Sequence, residues 1–214
     1  MAGGYPIVLD LKGKPVLIAG GGAVAERKAA ALLEAGGDVT VVAPAFTARL
    51  REWAAGGRLR LAEREAREDD LEGAAIFFAA TDDADANRRL AEAARARGVW
   101  TNVATDGEAG DFVTPAVVRR GELVLAVSAS GAGPALAARV ARELAERYGP
   151  EYAHLAAVLR AVRRAVKACV GDAEERRRLL AASASDEALA EWLEASPDEP
   201  PEKLVERLRK HAEG

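Results

Sequence analysis

The chain has 214 residues, of which 50% are hydrophobic and 30% are charged, and its formal net charge is −4. This composition predicts a globular protein with a buried core, and the negative charge gives no reason to expect a nucleic-acid partner. Apolar runs stay below the roughly 20 residues of a membrane-spanning helix, and the first residues lack signal-peptide features, so we expect a cytoplasmic protein without a membrane partner. Cys169 is the single cysteine and there are two histidines, which excludes an internal disulfide and a Cys/His metal cluster.

A glycine-rich turn follows the first apolar run of the chain. Residues 16–19 predict a buried strand, the glycines from Gly20 to Gly22 predict a tight turn, and a helix begins near Ala23. In a dinucleotide-binding turn, the first glycine lets the chain reverse sharply, and Gly22 lets the backbone approach the phosphates. A small third residue, here Ala25, lets the helix pack closely on the strand. The positive end of the helix then faces the pyrophosphate, so we predict a dinucleotide site here.

Apolar runs and helical stretches alternate over the next eighty residues. They predict strands at 39–42, 59–62, 74–80 and 99–103, and helices at 23–33, at 46–55 and from Asp82 or Asp83 to about Arg97. Strands that are apolar along their whole length and alternate with helices indicate a parallel sheet covered on both faces. We therefore predict an α/β protein whose residues 1–111 form a Rossmann-type, NAD-binding domain.

Two closely spaced apolar runs after residue 111 predict an antiparallel hairpin, with strands at 112–118 and 122–128. A helix follows from Pro134 to about Tyr148. Because two strands and one helix cannot bury a core alone, we expect residues 112–149 to form a dimerisation region that packs on a second copy of the chain. Residues 150–214 predict a helical region with helices at about 151–170, 173–182, 186–194 and 202–211.

Ligands of open α/β sheets bind beyond the carboxyl ends of the strands, where Pro44, Thr81 and Asn102 fall. Each also has a structural interpretation: Pro44 can end a strand, Thr81 can belong to a helix cap, and Asn102 can tie a loop. The acidic residue expected at the end of the second strand for the ribose hydroxyls is missing, since Asp38 precedes that strand. This criterion therefore does not separate NAD from NADP.

The segment after Asn102 carries three carboxylates, of which Asp106 is best placed to act as a general base or acid. The alternative is a solvated turn, because Asp-Gly is common in turns. At the predicted hairpin, Arg119 and Arg120 could bind a polyanionic substrate or lie on a solvated face.

Several segments taken together resemble the siroheme synthase family, and specifically its precorrin-2 dehydrogenase and sirohydrochlorin ferrochelatase module. They are residues 5–14, 20–29, 79–83, 102–103 and 127–137. The resemblance is close over residues 5–150 and looser over the helical tail. Nothing in the chain resembles the methyltransferase domain of the longer family members.

The resemblance implies an NAD-dependent oxidation of precorrin-2 to sirohydrochlorin in an intertwined homodimer. In some members it also implies insertion of Fe²⁺ as a substrate. It implies cofactor contacts at Ala23, Val24, Pro44 and Ala45. For a substrate with several carboxylates we also predict contacts at Ser128 and at Gly131, near the start of the predicted helix.

One position departs from the family pattern. The family's essential aspartate stands three residues after the asparagine that matches Asn102, and here that position is Thr105. Either Asp106 takes over through a shifted loop, or the activity is altered; we expect the first.

A different function class is an NAD(H)-sensing dimeric regulatory module without catalysis. Such modules commonly keep an acidic residue at the end of the second strand, which is absent here. A dehydrogenase for another small anion is a second alternative.

Overall fold

The computed structural model describes residues 4–129 and 132–212. The chain forms two compact units, Met1–Thr114 and Pro115–Gly214. Within the described ranges, no helix is both long and apolar enough to cross a membrane.

Strands and helices alternate along the first unit. In chain order they are β1 (Pro15–Ala19), α1 (Ala23–Glu34), β2 (Asp38–Ala43), α2 (Ala48–Ala55), β3 (Arg60–Glu63), a 3₁₀ turn (Glu68–Leu71), β4 (Ile76–Ala79), α3 (Ala84–Ala96) and β5 (Trp100–Val103). The strands form one parallel sheet in the order β3-β2-β1-β4-β5. The order reverses between β1 and β4, which is the switch point where such sheets bind ligands.

Side chains from successive strand positions point to opposite faces of the sheet, so each face has its own core. On one face, Val16 and Ile18 of β1 pack with buried residues of α1 and α2. On the other face, Leu17 of β1 and Phe77 of β4 pack with buried residues of α3. Covering both faces explains why the central strands are apolar throughout.

The second unit joins a hairpin to a group of helices. Its elements are β6 (Ala116–Arg120), β7 (Leu123–Val127), α4 (Pro134–Arg147), α5 (Glu151–Cys169), α6 (Ala173–Ala182), α7 (Asp186–Glu194) and α8 (Pro201–Ala212). The hairpin strands are antiparallel, and both α4 and α5 contact them. Helices α5 to α8 share a core that contains the fully buried Trp192, whose indole N–H donates to the backbone oxygen of Ser183 at 3.0 Å.

The structure confirms the predicted α/β class and the parallel Rossmann-type sheet. The first hairpin strand differs from the prediction, because it begins at Ala116 and not at residue 112. Phe112 instead packs in the core of the first unit, with its ring 5.5 Å from that of Phe78. Helix α3 is capped by Asp83, whose carboxylate accepts hydrogen bonds from two backbone amides.

Candidate cofactor and catalytic site

The glycine turn between β1 and α1 is held between the ends of two neighbouring strands. The Gly20 amide donates to the backbone oxygen of Val42 in β2 at 2.9 Å, and an added side-chain carbon at Gly20 would lie 2.1 Å from the oxygen of Ala80. Gly20 also has a φ of +116°, which favours glycine. At Gly21 an added carbon would lie 1.9 Å from the oxygen of Ala45. Any side chain at either position would therefore displace the end of a neighbouring strand.

Gly22 and the first turn of α1 present open space and backbone donors. Gly22 precedes α1 with φ −85° and ψ −170°, and an added carbon there would meet no atom within 4 Å. No side chain in the described ranges caps the helix, and Ala23 and Val24 are exposed. The first N–H groups of a helix have no partner inside the helix, and its dipole is positive there. These residues therefore fit a dinucleotide pyrophosphate, which can approach because Gly22 lacks a side chain.

The ends of β2 and β3 lie where such a fold holds the adenosine ribose. Pro44 and Ala45 follow β2 and are exposed, whereas Asp38 is the first residue of β2, at the opposite edge of the sheet. Sequence reasoning missed Glu63, which ends β3 in register with the last residue of β2. Arg51 donates to its carboxylate at 2.8 Å, and this hydrogen bond lowers the pKa of Glu63. The pairing of β3 with β2 brings Glu63 to this edge, and the sequence alone does not predict that pairing.

Thr81 follows β4 and lies against the glycine turn. Its hydroxyl donates to Oδ1 of Asn87 at 2.7 Å, and its amide donates to the same oxygen at 3.1 Å. The Asn87 amide group donates in return to the Thr81 backbone oxygen at 2.9 Å, and Asn87 is only 1% exposed. The Thr81 side chain is thus held by α3, so its predicted cofactor contact stays a prediction. The signal for Asn87 was its position on an otherwise apolar face of a predicted helix.

Asn102 is buried near the end of β5 and both of its side-chain polar atoms have partners. Its Oδ1 accepts a hydrogen bond from Nζ of Lys28 at 2.9 Å, and its Nδ2 donates to the backbone oxygen of Phe112 at 2.9 Å. Lys28 also donates to the hydroxyl of Thr114 at 3.0 Å. Burial and, to a smaller degree, the neighbouring Arg27 lower the pKa of Lys28. Sequence reasoning missed Lys28, and the cofactor contact predicted for Asn102 stays a prediction.

The candidate catalytic residues Thr105 and Asp106 are both exposed on the loop that follows β5. Oδ1 of Asp106 accepts hydrogen bonds from the backbone amides of Glu108 at 3.0 Å and Ala109 at 3.3 Å. The carboxylate is thereby oriented by its own loop, in the way an aspartate commonly closes a turn. These contacts are those of the turn interpretation, and the catalytic role of Asp106 stays a prediction.

The candidate substrate residues lie in the second unit. Arg120 donates to two backbone oxygens at the end of α4 at 2.9 and 3.0 Å, so its guanidinium stabilises that helix end. Arg119 and Ser128 are exposed, and Gly131 lies outside the described residues. The substrate contacts of these four residues stay predictions.

Comparison with known proteins gives four matches. Residues 7–116 match a family model described as "Putative NAD(P)-binding". The chain is 36% identical over 204 residues to siroheme synthase 2 of Cronobacter sakazakii, covering 95% of this chain and 44% of that protein. It is 41% identical over 177 residues to siroheme synthase of Citrobacter koseri, covering 81% of this chain and 38% of that protein. The chain thus spans less than half the length of these curated relatives. Among solved structures, "SirC, precorrin-2 dehydrogenase" matches with a TM-score of 0.78 and 28% identity over 96% of this chain and 99% of that one.

Proposed function

The chain belongs to the family of siroheme synthase N-terminal modules, and we propose that it is a precorrin-2 dehydrogenase that oxidises precorrin-2 to sirohydrochlorin with NAD. The observation that carries this proposal is the open start of α1 at the switch point of the sheet, which no side chain among the described residues caps. The likeness to SirC extends beyond the dinucleotide-binding fold to almost the whole chain, which favours this reaction over other uses of the same fold.

The cofactor contacts follow from the geometry of the sheet edge. Residues 22–24 would bind the pyrophosphate through backbone N–H groups, and Pro44 and Ala45 would line the adenosine ribose. Thr81 would contribute mainly by holding the strand end that contacts Gly20. When bound, NAD supplies the hydride acceptor, and the protein contributes orientation and proton handling.

Asp106 is the proposed proton acceptor. Its Oδ1 is engaged by two backbone amides of its own loop, which leaves Oδ2 to take a proton from the macrocycle as the hydride leaves. The neighbouring Thr105 occupies the position of the family's aspartate. In our proposal it therefore lines the site without accepting a proton.

Precorrin-2 carries acetate and propionate carboxylates around its ring, so cationic and helix-end groups suit it as a substrate. Arg119 is exposed on β6, and Ser128 directly follows β7. Gly131 belongs to the segment that leads into α4. We assign these residues to substrate carboxylates. Arg120, whose guanidinium is bonded to backbone oxygens at the end of α4, would contribute by holding that helix end.

The hairpin also supports a homodimer. Its outer face carries Val117 and Val124, which are 49% and 36% exposed, together with Ala126 opposite Val117. Arg119 lies on the same face, opposite Val124. A second copy of the hairpin would bury the exposed valines, with Arg119 at the margin of the contact. We expect Val117→Lys to shift the protein to monomer in light scattering. The control Val8→Lys, at a residue that is 94% exposed in the first unit, should leave the dimer intact.

Iron insertion is a separate activity of some family members. Among residues 4–129 and 132–212, no group of three or more His, Cys, Asp or Glu side chains could hold a metal ion. In our proposal Fe²⁺ is a substrate that is inserted into the macrocycle, and Asp106 is the base that accepts the pyrrole protons. The cytoplasm, with its pool of NAD, is the proposed location of both reactions.

Absorbance spectroscopy under anaerobic conditions tests the oxidation, because exclusion of air suppresses spontaneous oxidation. Wild-type protein should convert precorrin-2 to sirohydrochlorin only when NAD is added. Asp106→Asn should lower kcat by about 10²-fold or more, as expected for loss of a general base. Glu108→Gln, on the same loop, is the matched control and should retain activity. Fe²⁺ added to sirohydrochlorin provides a separate assay of metal insertion.

Two results would overturn these assignments. Absence of NAD-dependent conversion by a protein that still binds NAD would indicate the regulatory module instead. Full activity in Asp106→Asn would remove Asp106 from the mechanism. If Asp106→Asn instead loses activity, the double variant Thr105→Asp with Asp106→Asn locates the productive position, because it regains activity only if a carboxylate three residues after Asn102 can serve.

A further inference from the structure

Lys28 is a half-buried cation for which the described residues provide no carboxylate partner. It lies on α1 between the buried Ala25 and Ala29, and its ammonium group bonds only to the neutral oxygens of Asn102 and Thr114 among the contacts in the described ranges. Removing a charge from water without a counter-ion is costly, so a lysine here is a poor choice for stability alone. Its contacts indicate another reason for its presence.

The Lys28 ammonium joins four parts of the first unit at one point. Nζ lies 5.2 Å from the centre of the Phe78 ring in β4, and Phe112 packs edge-on against that ring at 5.5 Å. Asn102 of β5 links the ammonium to the backbone of Phe112, and Thr114 links it to the end of the same segment. Helix α3 packs in the core of the opposite face, whereas Phe112 packs in the core on the α1 side together with Phe78.

The segment held by Lys28 is the return arm of the loop that carries Asp106. The loop leaves the sheet at Ala104, whose amide donates to the oxygen of Ala79 at 2.9 Å. It returns at Asp111, whose carboxylate accepts a hydrogen bond from the Thr101 amide at 3.0 Å. The Asp111 amide also donates to the Thr101 backbone oxygen at 2.7 Å. Residues 112–114 follow directly, so contacts that hold them support the return arm of the loop next to this anchor.

We propose that Lys28 is a positioning residue for the oxidation: it clamps residues 112–114 against β5 and thereby fixes the loop that carries Asp106. The inference rests on the proposed function, because it assigns Asp106 to the reaction. A charged donor suits this task, since one ammonium group can donate to Asn102, to Thr114 and to a third acceptor at once, and such bonds exceed neutral ones in strength. The clamp acts on the geometry of the loop and not on the pyrophosphate contacts, because Lys28 lies beyond the first turn of α1.

Steady-state kinetics and hydrogen exchange of four variants test the clamp. Lys28→Met keeps the packing on Phe78 but loses both hydrogen bonds, and we expect kcat to fall by about tenfold or more, as small displacements of catalytic groups do. The KM for NAD should stay within about twofold, since the pyrophosphate contacts are untouched. Lys28→Arg keeps a charged donor and should recover a large part of kcat. Thr114→Val loses one bond and should be intermediate.

Lys14→Met provides the matched control, because Lys14 is an exposed lysine before β1, at the opposite edge of the sheet. Amides of residues 105–109 should exchange faster in Lys28→Met than in Lys14→Met, with unchanged exchange in β1. That readout needs no substrate, so it tests the clamp even if precorrin-2 is not converted. An active wild type with equal kcat in Lys28→Met, or an unchanged exchange rate in the loop, would overturn the clamp. Loss of NAD affinity in Lys28→Met would overturn it as well, because the residue would then serve the cofactor.

Discussion

The glycine turn allows folding and cofactor binding to be separated by two single-methyl substitutions. In Gly20→Ala the new carbon would lie 2.1 Å from the Ala80 backbone oxygen, at a φ of +116°. The backbone strain costs about 1–3 kcal/mol. Relieving the clash moves the strand ends apart and weakens hydrogen bonds such as Gly20 to Val42, each contributing about 1 kcal/mol. We expect the free energy of unfolding of the first unit to fall by about 3–5 kcal/mol.

Gly22→Ala adds the same methyl group two residues later, in open space and at an extended φ of −85°. Losing glycine at a helix N-cap costs a fraction of a kcal/mol, and restricting the unfolded chain offsets about the same amount. Stability should therefore change by less than about 1 kcal/mol. The methyl group fills the space through which the pyrophosphate approaches α1, so we expect the Kd for NADH to rise by about tenfold or more.

Urea unfolding and NADH titration by fluorescence measure the two quantities, and hydrogen exchange in β1 reports on the first unit alone. The expected pattern is a crossed one: Gly20→Ala loses stability, whereas Gly22→Ala keeps stability and loses affinity. Unchanged NADH binding in Gly22→Ala would refute the location of the pyrophosphate. Wild-type stability in Gly20→Ala would refute the close approach of Gly20 to the end of β4.

Asn87→Ala should lower the free energy of unfolding by about 2–3 kcal/mol, because it leaves the part-buried amide and backbone oxygen of Thr81 without their partner, whereas the Thr81 hydroxyl can still donate to the backbone oxygen of Asp83. It should also raise the Kd for NADH; a stability loss with unchanged Kd would show that this turn plays no part in the cofactor site. The Arg64 guanidinium holds the pKa of Asp70 below its usual value, so this pair stabilises the fold above about pH 4, and the stabilisation is lost as the pH falls through the folded pKa. Arg64→Met should therefore cost about 1 kcal/mol at pH 7 and less at pH 3 in urea unfolding, and an equal cost at both pH values would contradict this reasoning. Trp192→Ala should destabilise helices α5 to α8 by about 3–5 kcal/mol, seen as faster hydrogen exchange there; retained protection would contradict its central place in that core.

Local signals in the sequence were sufficient for most elements of the fold. Pro134 at the start of α4 and Asp83 at the start of α3 act within one turn of the chain, so they can be recognised without knowledge of the tertiary structure. The start of β6 could not be predicted in this way. Phe112 is an aromatic residue of the kind common in strands, but its ring packs against Phe78 of β4, which is distant in the sequence.

The candidate site shows the same division between local and distant information. Three consecutive glycines between a strand and a helix predict the cofactor turn, and the structure gives each glycine a distinct environment. Lys28 and Asn102 are 74 residues apart, and Glu63 reaches the edge near Pro44 only through strand pairing. No sequence pattern within one helix or strand indicates such contacts. This is why the sequence alone does not predict a role for Lys28 or Glu63.

The two halves of the site differ in how strongly the fold restricts their residues. Backbone atoms of neighbouring strands surround Gly20 and Gly21, so folding itself selects glycine there. Thr105 and Asp106 are exposed on a loop that is anchored at its ends, so folding restricts their identity far less. A sequence change that places the carboxylate at position 106 and not at position 105 should therefore cost little stability. Chemistry would then depend on how firmly the loop is held, which is the task that the Lys28 clamp would perform.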